Sequence, residues 1–498
     1  MHRFARSLCI VAIATAAFAS ASSAAPPSRL FLQQLGPHSA IVKWRGDAGS
    51  VCFSTKLRDL SKPHWPRCAE GVATAAGHYD AQLTGLAPQQ DYFYSVAGQI
   101  DESQHFQTPP NSNKPPKDGN THIWIVGDSG TRTEAGHVGE AEGVRDGFLT
   151  YNAGEGAGEP VDMFLMLGDN AYTSGTDAQY QGAVFELYAQ TLKQAPVWST
   201  IGNHEMGVGD LAAFRIFNPG GLSVSSNPNS YSDGDPNTVE NGMPYFDIFS
   251  LPTQGEIGGV PSGTEQYYAF DAGNVHVVSL DSQLSARDTQ QRAAMKAWLI
   301  ADLAANERDW TVVIFHHPPY SRGTHDSDST ALLMQSFANR LDLPMVDMRQ
   351  EFTPIFDAYG VDVVYSGHSH DYERSYYLRG HTGNANTFDP ATHAELDDAG
   401  QPSLGRGDAP YHQVTSSGFD DRSVYTVAGN SGKAEEPNPA ITAQALLHPA
   451  MVPQPAEPNG RRGLKVTGSV VLDASATALR ARMVDAHGAV LDEFTITR

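Results

Sequence analysis

Five short polar runs carry the residue types that could do chemistry: Gly127-Asp128-Ser129-Gly130, Gly168-Asp169-Asn170-Ala171-Tyr172, Gly202-Asn203-His204-Glu205, His316-His317-Pro318-Pro319-Tyr320 and Gly367-His368-Ser369-His370. Each follows an apolar stretch that reads as a buried strand, at the end where open α/β sheets bind ligands. Together they offer carboxylate, amide, phenol and imidazole donors without a thiolate, a set suited to iron, zinc or manganese. Asp169 ends the almost wholly apolar segment 161–167 and is expected to bridge two metal ions. Taken singly, each run has a plainer explanation: a Gly-Asp turn bonded to local backbone, a Gly-Asn-His loop, or surface histidines. Five runs at five strand ends favour the metal site.

The elements that must position these runs alternate between strand and helix. Strands are expected at 123–126, 161–167, 197–201, 310–315 and 361–365, with a hairpin of 267–270 and 275–280 turning at Gly273-Asn274. Helices are expected at 134–149, 177–193, 287–305, 332–341 and 351–359. This order predicts βαβ units and a largely parallel sheet. The end of the chain reads as β, at 424–428, 466–472, 479–484 and 490–496. Residues 207–263 are too long for a plain connection and read as a pocket-forming insertion or a partly mobile segment, and residues 380–421 again read as loop.

Upstream, residues 28–108 hold short aromatic and β-branched strands separated by Gly and Pro, a small β sandwich without a cluster of titratable groups. The Pro-rich stretch 109–119 (PPNSNKPPKDG) is an extended linker. Residues 1–24 read as a secretory signal peptide: Arg3 and Arg6, an apolar run too short to span a bilayer, then small residues. Export leaves Cys52 and Cys68, which predict a disulfide, with two separate buried thiols as the alternative. Two of the 33 basic residues lie in the leader, so 31 face 56 acidic ones and the formal charge becomes −25. Such a surface repels nucleic acid and anionic membranes, yet bound cations can still admit an anionic substrate.

The ordered runs resemble the metallophosphoesterase superfamily and, within it, the purple acid phosphatases. The distinguishing mark is Tyr172, three residues after Asp169. Similar too are 266–281 (QYYAFDAGNVHVVSLD), 367–375 (GHSHDYERS) and 424–432 (VYTVAGNSG), and residues 83–94 look like the strand E to F corner of a fibronectin type III domain. The resemblance implies an α/β fold, the four-layer αββα sandwich over 120–498, after a small all-β fibronectin type III-like domain. It implies that Asp128, Tyr172 and His370 bind ferric iron. Asn203, His316 and His368 then bind Fe(II), zinc or manganese, and Asp169 bridges the two. His317 matches a position that is not a ligand. His204 would face the phosphate, and His325, nine residues after His316, would serve the leaving group.

The activity implied is hydrolysis of small phosphomonoesters by a metal-bound hydroxide in an exported or periplasmic enzyme. A phosphodiesterase or nucleotidase on the same site is the alternative. A non-catalytic surface protein ranks below both because all seven ligand positions are filled. The loops 207–263 and 380–421 and the segment 332–347 depart from well-known members and leave the substrate open.

Overall fold

The computed structural model describes residues 27–64, 66–206, 243–286, 288–328, 338–413, 422–437, 445–455 and 460–498. The expected signal peptide at 1–24, most of the expected loop 207–263 and the start of the expected helix 332–341 lie outside them.

Two four-stranded antiparallel sheets come first. Ser28–Gln33, Ser39–Arg45, His78–Thr84 and Val72–Ala73 form one; Arg67–Glu70, Ser50–Ser54, Asp91–Val96 and Gln99–Gln107 form the other. Inward residues such as Trp44, Leu83 and Tyr94 share a core, as period-2 alternation requires. Tyr92 Oη accepts a hydrogen bond from the Ala87 amide at 3.0 Å, tying down the corner that residues 83–94 predicted. This is a fibronectin type III-like arrangement. Cys52 and Cys68 stand opposite each other on neighbouring strands and form the disulfide.

From Thr121 onward two mixed seven-stranded sheets pack face to face. In the first, Val197–Ser199, Met163–Met166 and Thr121–Val126 run parallel, and Gly468–Ala474, Ala478–Asp485, Val490–Thr497 and Tyr411–His412 complete it. In the second, Val275–Ser279, Trp310–Ile314, Val363–Ser366 and Ser423–Ala428 are parallel; Tyr268–Ala272, Tyr372–Leu378 and Gly463–Leu464 lie at its edges. Alternation again sorts the side chains. Val312 and Ile314 face the core between the sheets, whereas Val313 and Phe315 face outward under helices. Helix Glu140–Ala153 covers the first sheet, where Phe148 stacks on Trp124 at 4.1 Å. Helices Thr289–Ala305 and Thr353–Tyr359 cover the second through Trp298, Leu299 and Phe356. The result is the expected four-layer αββα sandwich.

Several elements differ from expectation; the helix expected at 332–341, described from Ala338, runs on to Asp347, and the start of the one expected at 351–359 falls in a π-helical turn, Met348–Phe352. The helix expected at 134–149 starts at Glu140, because Gly136 and Gly139 adopt φ of 99° and 93°, outside the helical region. The helix expected at 177–193 is broken into Asp177–Tyr180, a π-helical stretch Gln181–Glu186, and Ala189–Leu192. Within the loop expected at 380–421, Tyr411–His412 adds an edge strand beside Val490–Thr497. No helix among the described residues is long and apolar enough to cross a membrane.

A buried imidazole beside the second sheet gives this domain a pH dependence. His276 is hydrogen-bonded at Nδ1 to Asp271 and at Nε2 to Asp302, both at 2.8 Å, and Arg308 also pairs with Asp271. Burial alone would lower its pKa, but the two carboxylates carry it up to about 9. A raised folded-state value means stabilisation that is complete below the unfolded value near 6.5 and lost as pH rises through 9. Denaturant titrations should show a fall of about 3 kcal/mol across that window. The fall should vanish in His276→Asn; an equally steep fall in that variant would assign it elsewhere.

Candidate metal centre

The loops after the parallel strands of both sheets meet at one edge of the sandwich. His316 Nδ1 donates to the Leu167 carbonyl at 2.9 Å, joining the sheets at the site itself. Asp128, Asp169 and His368 have φ of 54°, 52° and 70°, a left-handed conformation that non-glycine residues adopt at a cost and that concentrates at functional sites. The neighbouring glycines permit the close approach. A Cβ on Gly202 would lie 2.3 Å from Asp169 Oδ1, and one on Gly367 would lie 2.2 Å from Asp128 Oδ2.

All seven expected ligand residues are buried and their donor atoms converge. Tyr172 Oη lies 2.9 Å from Asp128 Oδ1, 3.2 Å from Asp169 Oδ2 and 3.3 Å from His370 Nε2. On the other side Asn203 Oδ1 lies 3.1 Å from His316 Nε2 and 2.9 Å from His368 Nδ1. Asp169 Oδ2 stands between the groups, 3.3 Å from His316 Nε2. A carbonyl can only accept, so His316 keeps a proton on Nδ1, and Nε2 is the nitrogen turned toward Asn203 and Asp169, able to bind a cation once the proton it shares with those oxygens is displaced. His370 is held likewise at Nδ1 by Glu435, and His368 at Nε2 by Asp342 at 3.3 Å. Each imidazole thus has an oxygen acceptor on its far nitrogen and its other nitrogen facing the cluster, the usual arrangement of metal-binding histidines.

The electrostatics point the same way. Among the described residues, Asp128 and Asp169 form their ion pairs with histidines. Burial alone would lower the pKa of His316, but Asp169 and Asp128 raise it to about 9. Burial, then the same two carboxylates, push the Tyr172 phenol well above its ordinary value. Burial and the nearby His325 lower His368 to about 3, so it is a neutral imidazole. Two buried carboxylates against a phenol and an amide oxygen call for positive charge in their midst. The donor set therefore fits two cations with oxygen and nitrogen ligands, one near Asp128, Tyr172 and His370 and one near Asn203, His316 and His368.

His204 and His325 also reach the centre. His204 donates from Nδ1 to the Thr173 carbonyl at 2.7 Å and lies against the Tyr172 ring, with Nε2 3.9 Å from Asp169 Oδ2. His325 lies against His368, the rings tilted by 31° with centroids 3.8 Å apart, and bonds Asp342 through Nδ1 at 2.7 Å. His317 is buried beside these rings, and Ser282 Oγ bonds its Nδ1 at 2.9 Å.

Three carboxylates escaped the reading of the sequence. Glu205 belongs to the Gly-Asn-His-Glu run, yet its position carried no ligand signal; it accepts from the Asp169, Asn170 and Gly202 amides at 2.7–2.8 Å. Glu435 follows the recognised run 424–432 by three residues. Asp342 lies in helix Ala338–Asp347, far along the chain from its partners.

The model of the calcineurin-like phosphoesterase family matches residues 121–372, half of the chain. An uncharacterized protein of Mycobacterium tuberculosis is 28% identical over 323 residues, covering 61% of this chain and 51% of that one. Purple acid phosphatase 15 of Arabidopsis thaliana is 24% identical over 314 residues, 60% of this chain and 49% of that one. The chain thus spans about half the length of these curated relatives. In fold it is similar to a purple acid phosphatase from yellow lupin (Lupinus luteus) seeds, with a TM-score of 0.58 and 17% identity over 95% of this chain and 74% of that one. It is also similar to PhoD, with a TM-score of 0.56 and 11% identity over 96% and 92%. On this match and on the fold, the chain belongs to the calcineurin-like phosphoesterase family and is purple acid phosphatase-like.

Proposed function

We propose that this protein hydrolyses phosphomonoesters at a dinuclear metal centre. The observation that carries the proposal is the convergence of seven donor residues, with Asp169 Oδ2 between Tyr172 Oη and His316 Nε2 and three imidazole nitrogens turned inward. When bound, a pair of cations supplies Lewis acidity toward the phosphoryl oxygens and a water of lowered pKa. The protein's own groups do the rest. Asp128, Tyr172 and His370 would hold one cation, Asn203, His316 and His368 the other, and Asp169 both. His204, tethered through Nδ1, presents Nε2 to a phosphoryl oxygen. His325, tethered to Asp342, holds a proton at Nε2 for the departing alkoxide.

Assays of one purified, metal-analysed sample on p-nitrophenyl phosphate, bis-p-nitrophenyl phosphate and nucleotides test this. Faster turnover of the monoester supports it; a strong diester preference replaces it with a phosphodiesterase. A folded, metal-supplemented protein that takes up no metal would indicate a non-catalytic surface protein.

Tyr172 assigns ferric iron to the first position, because a phenolate on Fe(III) gives a visible charge-transfer band. The iron-loaded protein should be violet, and Tyr172→Phe should be colourless at equal iron content by absorption spectroscopy. An active wild type without colour would point to zinc or manganese instead. The second position would hold Fe(II), zinc or manganese.

The leader-like residues 1–24 and the disulfide support an exported or periplasmic protein. We divide the chain into a fibronectin type III-like unit at 28–108, a linker at 109–119 and a catalytic unit from 120. Arg29 and Arg45 of the first unit pair with Asp177 of the second at 2.6 and 2.8 Å, just beyond the Tyr172 loop. The first unit thereby braces that loop.

A further inference from the structure

The two histidines with different tasks, His325 and His368, share a single oxygen. Asp342 Oδ1 lies 2.7 Å from His325 Nδ1 and 3.3 Å from His368 Nε2, and the two rings lie against each other, tilted by 31° with centroids 3.8 Å apart. Asp342 is 2% exposed, and its other oxygen, Oδ2, has no hydrogen-bond partner among the described residues. Nothing else about the residue explains its burial. On the same helix Asp347 instead pairs with Arg292 of another helix. Burying a carboxylate costs several kcal/mol unless its partners compensate, and here both compensating partners are active-site imidazoles.

We propose that Asp342 is a positioning residue of the reaction, a single carboxylate that sets the ring orientation of both the leaving-group histidine and a metal-binding histidine. The inference rests on the dinuclear phosphatase reading. An ionised carboxylate accepts only, so contact with Oδ1 commits His368 to the Nε2–H form and leaves the Nδ1 lone pair for the cation beside Asn203. The same contact commits His325 to Nδ1–H, so Nε2 alone faces the leaving group. Metal retention and proton delivery are therefore coupled through one atom, supplied by the helix Ala338–Asp347.

The test compares Asp342→Asn, Asp342→Glu and His325→Ala with wild type, all loaded with two metals. Asp342→Asn should release one of its two metal equivalents to a chelator about 10- to 100-fold more readily, as loss of an orienting partner does. Its kcat should fall at least ~10-fold further on an alkyl phosphate than on p-nitrophenyl phosphate, whose leaving group needs little protonation. His325→Ala should reproduce the leaving-group effect with wild-type metal retention, and Asp342→Glu should recover part of both. Wild-type chelator resistance and an unchanged substrate ratio in Asp342→Asn would overturn the inference. So would equal loss of both metals and of both activities in step with a lowered melting temperature, which marks a merely structural residue. If Asp342→Asn does not fold, Asp342→Ser, smaller and still polar, is judged by the same two readouts. A wild type that binds no metal refutes the dinuclear reading itself, and is recognised before any variant is made.

Discussion

Asp169→Asn is expected to abolish turnover while leaving the protein folded. Asp169 Oδ1 is occupied by the His204 amide at 2.7 Å, so Oδ2 is the oxygen that faces both Tyr172 and His316. An amide keeps the first contact only by turning its NH2 group into the cluster. There it can neither bridge cations nor balance their charge. The expected loss in kcat/KM is on the order of 10³-fold or more, about 4 kcal/mol of transition-state stabilisation. Metal content should fall below two per chain. Steady-state kinetics together with elemental analysis check this, and a variant that keeps two metals and a near-native rate would remove Asp169 from the bridging role.

Glu205→Gln is expected to cost about 2–3 kcal/mol of stability, the penalty for turning a buried amide donor against other donors. The carboxylate lies between two loops of the site. Oε2 accepts from the Asp169 and Gly202 amides; Oε1 accepts from the Asn170 amide at 2.8 Å, the Tyr180 hydroxyl at 3.1 Å and the Asn170 side chain at 3.3 Å. Both oxygens face donors only. Whichever way a glutamine is turned, its NH2 group meets at least two N–H groups with no solvent to relieve them. Chemical denaturation gives the number, and metal retention should fall with it because Asp169 and Asn203 flank the clamp. A loss under 1 kcal/mol would show that the loops hold without it.

These two residues differ in how visible they were. Asp169 stands where an apolar segment stops, and a strand end is a local property of the chain, so its place at the ligand edge could be read from its neighbours. The same holds for Asp128, Asn203, His316, His368 and His370, which the fold gathers from two sheets into one cluster. Glu205 is written in the same run as Asn203, but nothing local says that its side chain turns back under Asp169 rather than inward as a ligand. The broken helix after Asp177 and the late start of the helix at Glu140 were illegible for another reason. Apolar periodicity spans both, while π-helical turns and left-handed glycines are choices made by packing against the site loops.

The sequence by itself determined the donors: which residue types end which strands, and hence a cluster of oxygen and imidazole donors, with Tyr172 as the mark of the purple acid phosphatase resemblance. Only the tertiary structure decided how those donors are aimed. The proton on His316 is set by the Leu167 carbonyl 149 residues away, that on His370 by Glu435, and that on His368 by Asp342. The physical reason is range. Strand and turn preferences act over a few residues, whereas the hydrogen bond that chooses a histidine's tautomer forms only once the two sheets and their outer helices have closed around it.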